Sequence, residues 1–268
     1  MAFFRLAYSG IVGKQTVMKM THHHQIASRA ICSSTRYQGR DKLADYYRIP
    51  EPQYQWNSNW DYKEPSEEHR IAPATATRYL ILVRHGQYHT GARTEEEKTL
   101  TTLGQEQATE VGKRLVALNY QFTKIISSTK VRALETANFI AALLPPDTPM
   151  EYCSLIEEGA PIPPEPKTTW KPERSKFFID GARIEAGFRK HFHRASASQK
   201  DSSCELIVAH SNVIRYCVLR ALQLPPEAWL RLSLHHCSIT SLSVTSDGDV
   251  TLLSYGESGF MKHYHLSK

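Results

Sequence analysis

The sequence predicts an α/β protein with a mostly parallel central sheet, flanked by helices and completed by a C-terminal β-hairpin. Three observations predict it. Short runs of strand-favouring residues alternate with longer segments of helical spacing, the order that a sheet with crossover helices requires. The runs Tyr79–Val83 and Leu206–Ala209 are apolar throughout, as strands covered on both faces are. Asp247-Gly248 separates two further strand-favouring segments, a hairpin signal.

The elements follow in order. After the strand at Tyr79–Val83, Thr101 and Thr102 offer N-caps for a helix whose apolar positions are Leu103, Ala108, Val111, Leu115 and Leu118. Lys124–Ser127 reads as a second strand, and Val131–Leu144 as a helix stopped by Pro145-Pro146. A third strand is expected at Tyr152–Ile156, then a Pro-rich loop over 161–172 and an amphipathic helix over Phe178–His193. The strand Leu206–Ala209 leads into a helix at Val213–Leu222, and Ser238–Val244 with Val250–Ser254 forms the hairpin.

The chain has 268 residues and a formal charge of +6. Residues 1–40 hold six basic side chains and no Asp or Glu, leaving 27 basic against 27 acidic residues in the rest. A groove that neutralises a polynucleotide needs a surplus in the folded body, so no nucleic-acid partner is expected. An acid-free segment rich in Ser, Thr and Arg has the composition of a mitochondrial targeting segment, the competing reading being a basic tail without an address. The longest uncharged stretch near its start, Leu6–Gly13, is interrupted by Tyr8, Ser9 and Gly10 and falls short of the roughly 18 residues of a membrane-spanning helix. The expected organisation is a basic targeting segment at 1–40, a linker at 41–77 and a catalytic domain at 78–268.

Within that linker, Trp56-Asn57-Ser58-Asn59-Trp60-Asp61 places two large aromatic faces where few aliphatic residues exist to cover them. The element is expected to dock on another surface, of a partner or of this chain's own domain. Five scattered cysteines with no C-x-x-C pair read as buried apolar residues, not a disulfide framework. His22-His23-His24 could chelate a stray metal and His89 could touch substrate, while His235 and His236 lack Cys or carboxylate companions at metal spacing. They read as incidental polarity, a solvated loop or packing. His191 and His193 read as a solvated helix face, and Asp180, Arg183 and Glu185 as a helical charge pattern.

Ligand sites in open α/β sheets lie at the carboxyl ends of the strands. There the sequence offers Arg84-His85-Gly86, Ser127 to Arg132, Glu157-Glu158-Gly159 and His210-Ser211-Asn212. Two arginines, two histidines and a carboxylate are a phosphoryl-transfer inventory. Guanidinium forks bind phosphate oxygens, a neutral imidazole attacks phosphorus, and a carboxylic acid protonates the leaving oxygen. Positioning and charge stabilisation do most of this work, so neither metal nor cofactor is expected.

Leu82-Val83-Arg84-His85-Gly86, Ser127 to Thr136 with its Arg-Ala-x-Glu-Thr, Glu158-Gly159 and Ala209-His210 resemble the histidine phosphatase (phosphoglycerate mutase-like) superfamily. Trp170-Lys171-Pro172, the segment Asp180 to Ala186, Asn212 to Tyr216 and the Trp-rich element resemble its mitochondrial serine/threonine-protein phosphatase members. The resemblance implies a phosphorylated nucleophile at His85, phosphate binding by Arg84 and Arg132, a pocket completed by His210, and a proton donor at Glu158. Glu157 is the rival for that last role. It also implies homo-oligomerisation through Trp56, Asn59, Trp60 and Asp61. Ser211 stands where the superfamily commonly has Gly, and Asn57 where the element usually has Asp. Those relatives also carry an N-terminal anchor in the mitochondrial outer membrane, which is shortened and interrupted here, so membrane association is the open point. The expected function is metal-independent hydrolysis of phospho-Ser/Thr in proteins, with a small-molecule phosphomonoesterase or a catalytically weak oligomeric scaffold as alternatives.

Overall fold

A computed structural model describes residues 55–64 and 75–268, which lie in one compact unit, Gln55–Lys268. The expected targeting segment at 1–40, His22 to His24 and Cys32 lie outside the described residues. The strands are β1 (Arg78–Arg84), β2 (Lys124–Ser128), β3 (Met150–Cys153), β4 (Ser203–Ala209), β5 (Ile239–Val244) and β6 (Val250–Glu257). Helices α1 (Thr102–Ala117), α2 (Val131–Ala141), α3 (Arg174–His191) and α4 (Ser211–Ala221) cross over between them.

The sheet runs β3-β2-β4-β1-β5-β6, parallel from β3 to β1 and antiparallel across β5 and β6. Alternation within β1 explains the two-sided core. Leu80 and Leu82 join Ile184, Phe188, Val213 and Cys217 of α3 and α4, while Ile81 and Val83 join Ala108, Val111, Leu115 and Ala137 of α1 and α2. The four described cysteines are free and buried.

Among the boundaries that differ from the sequence reading, three have a local reason. β3 ends at Cys153, opposite the last residue of β2, and with no further ladder partner Ser154–Ile156 closes into a 3₁₀ turn. α2 leaves α-geometry at Ala141, and Leu143 and Leu144 donate to carbonyls three residues back. The residue before a proline is disfavoured in the α region, so the last turn tightens ahead of Pro145. α3 begins at Arg174, earlier than expected, because its first turns have no apolar stripe and leave Phe178 and Ile179 exposed.

The Trp-rich element docks on its own domain. Trp60 packs 5.8 Å from Phe188 and its indole N–H donates to the Gly248 carbonyl at 2.7 Å. Asp61 receives the Arg194 backbone N–H at 2.8 Å and Nε at 3.0 Å, and both side chains are at most 2% exposed. Gly248 has φ +90°, and a Cβ there would lie 2.3 Å from Arg194 Nη2, so the hairpin turn demands glycine. Asn57 is fastened by Gln223, whereas Trp56 stays exposed.

The expectation of a solvated face at His191 and His193 is corrected. His191 is buried with Nε2 3.2 Å from the Cys153 sulfur, and His193 Nδ1 donates to the Arg194 carbonyl. The chain there turns inward to deliver Arg194 to Asp61.

Burial alone would raise the Asp61 pKa, yet the bonds from Arg194 hold it below the ordinary carboxylate value. Replacing Asp61 with Asn leaves the Arg194 guanidinium buried and uncompensated, and the expected loss is about 3–5 kcal/mol of unfolding free energy. Urea denaturation at pH 7 measures it; an unchanged midpoint refutes the assignment.

Candidate active site

The register of one strand pair assembles the centre. β1 and β4 run parallel with Arg84 opposite Ala209, and the ladder continues one step as the His85 N–H donates to the Ala209 carbonyl at 3.0 Å. His85 and His210 therefore leave adjacent strands side by side, with ring centroids 5.0 Å apart. His85 Nδ1 lies 2.8 Å from the Gly86 carbonyl, which can only accept. The proton is thus on Nδ1, and Nε2 carries the free lone pair. Burial above all, then the nearby His210 and Arg84, pushes the His85 pKa well below the histidine range, so the ring is a neutral nucleophile.

Close backbone approach fixes this turn. A Cβ on Gly86 would meet the Gly104 carbonyl oxygen at 2.6 Å, and one on Gly104 would meet the Gln87 carbonyl oxygen at 2.0 Å. The Gly86 N–H donates to Thr136 Oγ1, tying the loop to α2.

His210 is fully buried, and its Nε2 lies 2.8 Å from Ser128 Oγ at the end of β2. Burial, reinforced by Arg132, pushes its pKa well down as well. Arg132, in the first turn of α2, is buried over the Tyr88 ring at 4.6 Å. Arg84 donates to the Leu234 carbonyl at 2.6 Å. Burial lowers its pKa to about 10, and it remains a cation at neutral pH. The Nε atoms of Arg84 and Arg132 and Nδ1 of His210 are buried without a hydrogen-bond partner. The unpaired buried Nε–H donors of the two guanidinium groups suit a tetrahedral anion that supplies the missing acceptors.

The two candidate carboxylates are placed differently. Glu157 receives the Thr129 hydroxyl and pairs with Lys130 at 3.5 Å. Glu158 keeps part of its surface toward the cleft, and enclosure of its carboxyl raises its pKa against the opposing pull of the Gly159 N–H and of Arg132 and Arg84. A carboxyl group biased toward the protonated state is a proton donor. Glu158 fits that description, whereas the oxygens of Glu157 are engaged by Thr129 and Lys130.

Residues read as a surface charge pattern hold this loop. Arg183 Nη1 donates to the carbonyls of Ser154, Leu155 and Glu157, and Nη2 to that of Glu158. Asp180 accepts from the Ala160 N–H at 3.0 Å, and Asn212 donates to the Gly159 carbonyl at 3.0 Å. His236, expected to be packing, instead contacts Arg84 Nη2 at 2.9 Å. No linear spacing announces these contacts, because each joins segments distant in sequence. His89 lies outside the group, and among the described residues no set of three His, Cys, Asp or Glu side chains is arranged to share a metal ion.

Two clefts border the centre. One of about 450 Å³ is lined by Arg84, Gln87, Tyr88, Thr101, His236 and Lys268. The other, about 430 Å³, is lined by Arg132, Glu158, Lys130, Trp170, Asp180 and Asn212 among others.

A family model described as the histidine phosphatase superfamily (branch 1) matches residues 80–257. The chain belongs to this superfamily. It is similar to the mitochondrial serine/threonine-protein phosphatase Pgam5 of Caenorhabditis briggsae, 46% identical over 237 residues that cover 81% of this chain and 82% of the relative. The human protein of that name is 45% identical over 225 residues, 77% of this chain and 78% of the relative. Among solved structures, a putative α-ribazole-5′-P phosphatase from Escherichia coli covers 67% of this chain and 96% of its own at TM-score 0.53 and 17% identity. YhfR of Bacillus stearothermophilus covers 68% and 98% at TM-score 0.51 and 22% identity. These two establish that the fold is shared. This histidine phosphatase therefore shares its mostly parallel sheet with them, and its Arg-His-Gly turn lies at the end of β1.

In this histidine phosphatase Glu95 lies across the anion pocket, 3.4 Å from Arg132, and bonds with Lys98 above all, and then Lys130, hold its pKa at about 2. The carboxylate competes for the guanidinium that an incoming anion needs. Glu95→Gln is expected to tighten inhibition by inorganic phosphate severalfold at pH 7, read as the competitive inhibition constant; weaker inhibition would show that Glu95 supports the site.

Proposed function

We propose that the chain is a mitochondrial phosphohydrolase that removes phosphate from Ser and Thr side chains of proteins through a phosphohistidine on His85. The observation that carries the reading is the paired His85 and His210 between two arginines whose buried Nε donors lack partners. The names of the similar relatives support the substrate class and the compartment. Two open clefts beside the centre leave room for polypeptide on either side of a phosphorylated residue.

In the first half-reaction His85 Nε2 attacks phosphorus, the N–P bond forms and the P–O ester bond breaks. Glu158 gives its proton to the departing side-chain oxygen, so Ser or Thr leaves as the alcohol. Phosphorylation makes the imidazole ring cationic, and the Gly86 carbonyl facing Nδ1–H stabilises it. Arg84, Arg132 and His210 meet the charge on the transferring group. In the second half-reaction the Glu158 carboxylate takes a proton from water as that water attacks phosphorus. The N–P bond breaks, inorganic phosphate departs, and His85 and Glu158 return to their starting states.

His85→Ala is expected to lower kcat on phosphoserine peptides by at least about 10³-fold, with wild-type activity unchanged by EDTA. Activity that persists in the variant, or that disappears with chelation, overturns the mechanism. Parallel assays with small phosphate esters decide between a protein phosphatase and a small-molecule phosphomonoesterase; inactivity on both classes favours a scaffold.

Because the Glu158 pKa is raised and its acid form starts the reaction, the rate is expected to fall as pH rises through that pKa. Glu158→Gln should abolish this alkaline limb and lower kcat about 10²–10⁴-fold on phosphoserine peptides. A pH–rate profile that keeps the limb in the variant would return the role to Glu157.

The relatives' compartment and the acid-free N-terminal composition support mitochondrial residence, and we extend the proposal to outer-membrane association through residues before Gln55. Among the described residues no helix is long and apolar enough to cross a membrane. We also propose homo-oligomerisation through Trp56, Asn59, Trp60 and Asp61. The pocket that takes Trp60 and Asp61 is formed by Phe188, Arg194 and Gly248 of the same chain, and a second copy can supply the same element to it by exchange. Trp60→Ala is expected to reduce the particle mass measured by light scattering; an unchanged mass refutes it.

A further inference from the structure

Arg84 is held at both ends by one short segment. The Cys237 N–H donates to the Arg84 carbonyl at 3.0 Å, the Leu234 carbonyl accepts from Nη1 at 2.6 Å, and Nη2 lies 2.9 Å from His236 Nε2. A guanidinium has donors only, so His236 Nε2 is the acceptor and the ring proton sits on Nδ1. That Nδ1 lies 2.9 Å from Ser267 Oγ, which also receives Gln107 Nε2 at 2.8 Å. Two donors fill the two lone pairs of the hydroxyl. The backbone N–H of His236 donates to the Ser267 carbonyl at 2.9 Å, fixing the ring from a second direction. His236 is 4% exposed, and its ring centroid lies 5.5 Å from that of His85.

We propose that His236 is a positioning residue of this site: by accepting from Arg84 Nη2 it sets the plane of the guanidinium that receives the phosphate. With one N–H of Nη1 committed to Leu234 and one of Nη2 to His236, the plane of the fork is fixed and its remaining N–H donors, the unpaired Nε among them, are kept for the anion. The fork cannot rotate about its long side chain without losing one of these bonds. Burial and the adjacent Arg84 hold the His236 pKa down at about 3, so the acceptor stays available at working pH. The inference rests on the reading of Arg84 as a phosphate ligand.

The test uses the full chain, with inorganic phosphate as the probe and calorimetric binding as the readout, so that turnover is not needed. His236→Ala is expected to weaken phosphate binding about tenfold, the scale of one hydrogen bond to a charged group. His236→Gln, which places an acceptor at similar reach, should restore it to within about threefold, whereas His236→Lys, with donors only, should not. Where His236→Ala fails to fold, the Gln and Lys variants carry the comparison. Equal phosphate affinity in the Gln and Lys variants, or affinity within twofold of wild type in the Ala variant, overturns the proposal. Arg84→Ala is the control: if it leaves phosphate affinity unchanged, Arg84 is not a phosphate ligand and the proposal falls with it. A wild type that binds phosphate through Arg84 and His236 but hydrolyses no ester would instead fail the phosphatase reading alone.

Discussion

The site depends on the parallel pairing of β1 with β4. Parallel strands deliver their carboxyl ends to the same edge of the sheet, and here Arg84 opposite Ala209 makes the next residue on each strand a histidine. A slip of one residue would send the Leu80/Leu82 and Ile81/Val83 sets to the wrong faces, so the two-sided core locks the register. Catalytic geometry is thereby inherited from core packing. The β2 neighbour adds Ser128 under His210, and the helix that follows brings Arg132 to the same edge.

Electrostatics then separates the roles. Histidine is ordinarily half-titrated near neutrality, and a protonated His85 would have no lone pair to offer. Enclosure and the neighbouring cations keep both rings neutral, while Arg84, lowered by burial to about 10, still keeps its charge at neutral pH. The same enclosure raises the Glu158 pKa. Under the proposed mechanism one environment thereby supplies a neutral nucleophile at His85, cationic phosphate ligands and a carboxyl biased toward its protonated form at Glu158.

How much of this was legible in the sequence follows from the range of the contacts. Each centre residue sits within a few positions of a strand end, and strands announce themselves by apolar runs, so Arg84, His85, Arg132, Glu158 and His210 could be read together. The resemblance favours Glu158 with Glu157 as rival, and the contacts that distinguish the two, Thr129 and Lys130 on Glu157, are visible only in the fold. Arg183 looked like surface charge because its partners are backbone carbonyls some 25 to 29 residues upstream, which leave no trace in side-chain pattern. His236 lies 152 residues from Arg84, the polarity of His191 hides a buried sulfur contact, and the buried Arg194–Asp61 pair joins segments 133 residues apart.

Helix α3 joins the two features that the sequence left apart. Its C-terminal half carries Phe188 beneath Trp60, and Arg189, which donates to the Trp60 carbonyl at 2.7 Å. Its N-terminal half carries Asp180 and Arg183, which hold the Glu158 loop by its backbone. Between them Glu185 binds Arg189, Tyr216 and Arg220, fastening α3 to α4, the helix that starts immediately after His210. A helix transmits displacement as a rigid body far better than a loop does. The docking of the Trp-rich element and the placement of Glu158 are therefore mechanically one problem, solved by the seating of α3 on the sheet.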